Sequence, residues 1–199
     1  MDFPIEQHPL PFFLPSNASL LMLGSFPPPR KRWCMDFFYP NIQNDMWRIL
    51  GLLFFKDKEY FLIPGKKLFD EKKIRAFCES VGIAIGDTAY EIRRLKNNAS
   101  DKFLEIVTPL DLEATLDQLP YCKAIAVTGQ KAVDTLLGVL SLTTQPKVGQ
   151  YITFEYKGRP LKLYRMPSSS RAYPLAITEK AKRYGAMFTD VFGDFTCPI

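Results

Sequence analysis

The sequence predicts a single α/β domain organised around a parallel sheet, and three observations carry that prediction. Four short apolar runs, Ser19–Leu23, Gly82–Ile85, Ala124–Thr128 and Leu161–Arg165, lack the strict apolar–polar alternation of half-exposed strands, as expected of strands covered on both faces. Segments of helical spacing lie between them, and strands alternating with helices favour parallel pairing through right-handed crossovers. The chain of 199 residues is long enough for one well-buried core and short for two, and no linker, repeat or low-complexity tract divides it. Residues 1–199 are therefore read as one domain.

The elements follow in order. The first strand runs straight into Gly24-Ser25-Phe26-Pro27-Pro28-Pro29, a stiff loop with an aromatic where flexible polar residues are usual. Asn44–Phe54 carries Met46, Trp47, Leu50 and Leu53 on one side of a helix. Leu68–Ser80 sets Ile74, Phe77 and Cys78 among lysines and acids, and Gln130–Leu140 turns Val133, Leu136 and Leu137 inward. The last helix is expected over Thr178–Phe188 with Thr178 as its N-cap. Gln150–Tyr156 and Leu161–Arg165, joined by Lys157-Gly158-Arg159-Pro160, read as a hairpin that makes one sheet edge mixed.

Composition narrows the function classes. At 47% hydrophobic and 24% charged residues the chain is an ordinary soluble globular one, and 26 Lys+Arg against 21 Asp+Glu is compatible with a polyanionic partner without requiring one. Cys34, Cys78, Cys122 and Cys197 are too widely spaced for a zinc-finger or iron–sulfur pattern and read as reduced structural thiols. His8 is the only histidine and sits near a proline-rich N-terminus, which argues against a histidine-based metal site or catalytic triad. Met1–Glu6 has neither the basic start nor the apolar run of a signal peptide, and no apolar stretch is long enough to span a bilayer. A cytoplasmic location is expected.

In an open α/β sheet, ligands bind beyond the carboxyl ends of the strands. That rule selects Gly24–Arg32, Asp87–Arg94 and Met166–Tyr173 as three loops that should converge. Phe26 either offers a flat face for stacking a planar ligand or fills the core. Asn44 either caps the helix that follows or holds a water molecule through its amide. Ser168, Ser169 and Ser170 offer hydroxyl and N–H groups to phosphate oxygens, with Arg171 adding charge, or are simply loop residues. Arg93, Arg94, Lys96 and Lys102, around Asn97-Asn98-Ala99-Ser100-Asp101, form a basic stretch that either touches a nucleic-acid backbone or is a solvated face.

Taken together, these segments resemble the uracil-DNA glycosylase superfamily, most closely its hypoxanthine-DNA glycosylase-like branch. That branch's first motif is a strand followed by Gly-Ser-Phe-Pro-Gly; Gly24, Ser25, Phe26 and Pro27 match it and Pro28 replaces the final glycine. Two aromatics, an asparagine and an aromatic–Trp pair come next, matched by Phe38, Tyr39, Asn44 and Trp47, with Met46 for the usual phenylalanine. The closing motif, resembling Leu-Pro-Ser-Thr-Ser-Pro, is Met166-Pro167-Ser168-Ser169-Ser170-Arg171, and Gly82–Asp87 resembles the second strand with its acidic end. The resemblance runs in order from about Ser19 to Phe188.

The resemblance implies a three-layer αβα fold with a central four-stranded parallel sheet of order 2-1-3-4. It implies a monofunctional DNA glycosylase that removes a deaminated base, hypoxanthine or uracil, from DNA without metal or cofactor, acting as a monomer with no membrane contact. Asn44 would be the catalytic residue; Gly24, Ser25, Phe26 and Pro27 would bind the base; Ser168, Ser169, Ser170 and Arg171 would hold the DNA. Pro28 lacks the N–H that a glycine would supply. No histidine lies in the closing motif, so the histidine-assisted mechanism of the best-known branch does not transfer, and the base preference stays open. A non-catalytic nucleic-acid-binding member of the same fold is the alternative, and an unrelated enzyme acting on small nucleosides is the third reading.

Overall fold

The structure, a computed structural model, describes residues 3–96 and 100–193; Cys197 and the Asn97-Asn98-Ala99 part of the basic stretch lie outside them. The elements are β1 (Ile5–Gln7), β2 (Leu20–Gly24), α1 (Met46–Phe55), α2 (Glu71–Val81), β3 (Ile83–Asp87), β4 (Ala89–Arg94), β5 (Leu104–Pro109), α3 (Leu112–Asp117), β6 (Ala124–Thr128), α4 (Gln130–Leu140), β7 (Gln150–Tyr156), β8 (Arg159–Met166) and α5 (Ile177–Phe192).

The main sheet has the order β3-β2-β6-β8-β7. The first four of these strands are mutually parallel, and β7 returns antiparallel to β8. The four-stranded parallel sheet that the resemblance implies is thus corrected to a mixed sheet of five, its mixed edge being the hairpin expected from Gln150–Arg165. Lys157 and Gly158 explain the extra strand: both have positive φ, 48° and 76°, as the tight turns that match strand twist require. The reversal takes only these two residues, so β8 begins at Arg159 rather than Leu161.

Both faces of the sheet are covered, which is why its strands read as unbroken apolar runs. Leu20, Met22, Ile83, Ile85, Ala124 and Ala126 pack against Trp47 and Leu50 of α1, Ile74 and Phe77 of α2, and Tyr184 and Phe188 of α5. The residues between them, Leu21, Leu23, Ala84, Ile125 and Val127, meet Leu112 and Leu116 of α3 and Val133 and Leu136 of α4. The result is three layers, and at roughly 1.5–3 kcal/mol per buried large aliphatic side chain these two clusters dominate the stability of the fold. α5 starts at Ile177, which packs on the core, so Thr178 lies inside the helix and is not its N-cap; Ala176 holds that position without a side-chain bond.

A second sheet, antiparallel and of order β1-β4-β5, lies outside what the apolar runs predict. It corrects the reading of Asp87–Arg94 as a loop: Asp87 closes β3 and Ala89–Arg94 is β4. Register shifts between Ala89 and Ile92 break the period-two pattern that would have announced the strand. The N-terminal segment runs beside both sheets. β1 pairs with β4, the His8 N–H donates to Tyr90 O at 2.7 Å, and Phe13 exchanges backbone bonds with Ile85 at 2.9 and 2.8 Å along the outer edge of β3.

Candidate active site

A cleft of about 1070 Å³ opens at the carboxyl ends of the parallel strands. Gly24, Ser25, Phe26, Pro27, Asn44, Ser168, Ser169, Ser170 and Arg171, proposed from separate stretches of sequence, all line it. Asp87, Asp101, Tyr39 and Thr128 line it as well.

The first wall is the proline loop. A proline run offers carbonyl acceptors and no N–H donors, so its partners must come from elsewhere. Arg94 Nη2 donates to Pro27 O at 3.1 Å, Trp33 Nε1 to Pro28 O at 2.7 Å, and the Arg32 N–H to Pro29 O at 2.9 Å. The three prolines therefore hold a rigid, fully tied lip. Phe26 is only 8% exposed, packed on Ala89, Ile92 and Leu104 of the second sheet and edge-on to His8 at 5.2 Å, and what surface remains faces the cleft.

Asn44 stands at the start of α1, where its Oδ1 accepts the Met46 N–H at 2.9 Å. This bond closes a turn just ahead of the helix and is not its N-cap, since α1 begins at Met46 and Asp45 holds the cap position without a side-chain bond; among the described residues the amide Nδ2 takes no protein partner. Behind Asn44 the serine loop is stitched to the same turn. Ser169 O accepts the Asp45 N–H at 2.8 Å and Gln43 O accepts the Arg171 N–H at 3.2 Å. Ser168 Oγ accepts the Ser170 N–H at 3.2 Å and Ser170 Oγ the Ala172 N–H at 3.3 Å, so these hydroxyls brace their own loop while keeping their O–H to donate. The buried Lys180 donates to Ser170 O at 2.7 Å from α5. Arg171 is engaged rather than free: its Nη2 and Nε donate to the buried Asp45 carboxylate at 2.8 and 3.2 Å.

The basic stretch is also largely committed. Arg94 forms two hydrogen bonds with Glu6, at 3.0 and 3.1 Å, and Arg93 pairs with Glu105 at 2.8 Å. Lys102, by contrast, is exposed at the cleft rim.

Two carboxylates that no motif singled out as site residues form the polar interior. Asp101 accepts from Ser25 Oγ at 2.8 Å. Burial pushes its carboxyl above the usual range, Ser25 opposes that, and the neighbouring Asp87 charge adds to it. Asp87 faces Gly24 in strand register, and burial likewise raises its carboxyl against the hydrogen bond from His8, the His8 charge and the Gly24 N–H. His8 Nε2 lies 2.8 Å from Asp87 Oδ2, with both side chains almost wholly buried. The histidine that composition set aside thus sits beneath the cleft. Opposite, Tyr39 adopts a left-handed φ of 51°, its hydroxyl 3.3 Å from Thr128 Oγ1, and burial raises its phenol. The cleft can hold a flat heterocycle bearing an N–H, against carboxylate acceptors within and hydroxyl and amide donors at its sides. Among the described residues, no group of three or more His, Cys, Asp or Glu is placed to hold a metal ion, and no helix is long and apolar enough to cross a membrane.

The arrangement defines a class: a three-layer α/β protein with a polar cleft at the carboxyl ends of its parallel strands. No protein-family model and no curated protein matches the chain. Among solved structures, the chain is similar to the solution NMR structure of a protein from Methanosarcina acetivorans described as a candidate uracil DNA glycosylase. The TM-score is 0.64 at 19% sequence identity, covering 94% of this chain and 99% of that one. The two share a fold over nearly their whole lengths.

Proposed function

We propose that the protein is a monofunctional DNA glycosylase that hydrolyses the N-glycosidic bond of a deaminated base, hypoxanthine or uracil, in base-excision repair, as a monomer and without metal or cofactor. The observation that carries this reading is the meeting of Phe26, Asn44 and Ser168–Arg171 in one cleft with the buried Asp87 and half-buried Asp101 carboxylates. The shared fold supports it.

The reaction breaks the C1′–N bond, leaving positive charge on the sugar and negative charge on the base, and water then bonds to C1′ and gives up a proton. A nucleotide must leave the duplex to reach such a cleft. Phe26 would contact the base, and the N–H groups of Ser25 and Phe26 would steady its developing charge. Asn44 would donate through Nδ2 and accept through the free lone pair of Oδ1, placing the water or bracing the sugar. An amide is no general base at neutral pH, so the proton passes to a carboxylate, for which Asp101 is the candidate, or to the departing base. The serine hydroxyls and Lys102 would hold the flanking phosphates.

Duplexes carrying hypoxanthine, uracil or xanthine, incubated with the protein in EDTA and then cleaved with alkali, test the reading. Abasic product from at least one is expected; none at high protein concentration leaves a nucleic-acid-binding module, and activity abolished by EDTA removes the metal-free claim. Asn44→Ala should lose about 1 kcal/mol of stability with the Met46 hydrogen bond and roughly 10²-fold or more in base release. Asn44→Asp keeps the acceptor for the Met46 N–H, so it should restore stability but not activity.

A further inference from the structure

His8 belongs to none of the elements that build the cleft, yet its ring forms part of the support beneath it. The segment that carries it is pinned on both sides of the residue, by β1 on β4 and by Phe13 on Ile85. The imidazole stacks on Phe38 at 5.9 Å and meets Phe12 and Phe26 edge-on at 5.7 and 5.2 Å. A phenylalanine would fill such a place equally well, so packing alone gives no reason for a histidine. Its nitrogens supply one: Nδ1 lies 2.8 Å from Leu10 O and Nε2 lies 2.8 Å from Asp87 Oδ2.

Asp87 needs that partner. Its side chain is 9% exposed, and a carboxylate so enclosed takes up a proton unless donors hold it charged. His8 Nε2 reaches it at 2.8 Å, and the Leu10 N–H, which donates to Nδ1 at 3.2 Å, selects the tautomer with the ring proton on Nε2, toward the carboxylate. A protonated Asp87 would present a hydroxyl donor, and without His8 its side chain would be free to turn.

We propose that His8 is a positioning residue: through Nε2 it fixes the Asp87 carboxylate in one rotamer, as the acceptor for an N–H of a base seated in the cleft. The proposal rests on the glycosylase reading. Deamination converts a ring-nitrogen lone pair of adenine or cytosine into an N–H, which a fixed acceptor attracts while repelling the parent base. His8 thus ties substrate choice to the N-terminal segment.

The test compares wild type, His8→Phe and His8→Gln in steady-state base release, with the Asp87 carboxyl carbon followed by NMR at neutral pH. His8→Phe keeps the aromatic packing and removes both nitrogens; His8→Gln keeps an N–H donor. His8→Phe should lose about 10- to 100-fold in kcat/KM, the weight of a hydrogen bond to a charged group, and its Asp87 signal should move to the protonated position. His8→Gln should recover most of the activity and keep the ionised signal. Wild-type kcat/KM in His8→Phe, or an ionised Asp87 in it, overturns the proposal. Should His8→Phe not fold, Asp87→Asn supplies the second arm: it should lose a similar factor, and wild-type activity in it also overturns the proposal. A wild type inactive on every duplex sinks the glycosylase reading instead, and the carboxyl signal then still decides whether His8 holds Asp87.

Discussion

Gly24→Ala probes how tightly the floor of the cleft is set. Gly24 closes β2 opposite Asp87 on β3, and a Cβ built there falls roughly 1 Å or more inside ordinary contact with Asp87 Oδ1. It would also touch the Tyr39 ring at 3.7 Å. Neither neighbour can yield freely, since Asp87 is held by His8 at 2.8 Å and Tyr39 lies against Thr128 at 3.3 Å. The φ of Gly24 is outside the left-handed region, so alanine brings steric displacement and no backbone strain. Overpacking of this kind costs about 1–3 kcal/mol, which for a chain of this size lowers Tm by about 2–12 °C. Displacing a site group by about 1 Å costs roughly 10²-fold in rate. Base release and thermal unfolding measured on the same preparation provide the check. A Gly24→Ala protein with both the wild-type Tm and the wild-type kcat/KM would refute the packing of Asp87 on Gly24 and the role given to it.

Two further substitutions test the electrostatics. Because burial raises the Asp101 carboxyl, its contribution to stability is present below the ordinary carboxylate range and is lost as pH rises through the raised value; Asp101→Asn should therefore raise Tm near neutrality, with a gain that vanishes in acid, while base release falls. A gain independent of pH would rule out an enclosed carboxylate there. Asp45→Ala leaves Arg48, 14% exposed, beside an emptied site and releases Arg171. It should cost about 2 kcal/mol, below the figure for a fully buried pair because Arg171 is 53% exposed, and an unchanged Tm would mean that solvent already screens the pair.

The sequence disclosed the main sheet because its strands are covered on both sides. Ala124–Thr128 has no exposed face to interrupt the apolar run, and its bounds in the structure are those of the run. The second sheet left no such trace. β1 is three residues with exposed ends, and the irregular pairing of β4 with β5 hides its alternation. The six-residue α3 is too short for a helical period to stand out.

The site was legible where it depends on parallel strands alone, so the segments after β2 and β8 could be placed together in advance. Asp101 could not, because it reaches the cleft only after the chain has left along β4, and its approach to Ser25 depends on the unforeseen sheet. A lone histidine beside a proline-rich N-terminus gives no sign in the sequence of what it pairs with. Its partner is a buried carboxylate 79 residues away, and the pairing of β1 with β4 brings the two together. Phe26 shows the limit of either-or reading. Core packing and ligand contact read as alternatives in the sequence, yet the ring sits in the small cluster with Ala89, Ile92 and Leu104 and still borders the cleft. Packing on Ala89, Ile92 and Leu104, with the Arg94 guanidinium over the ring at 5.9 Å, holds the bordering surface of Phe26 in one orientation. Burial and a place on the cleft wall are therefore compatible at this residue, because rigid packing fixes what little of the ring is left at the surface.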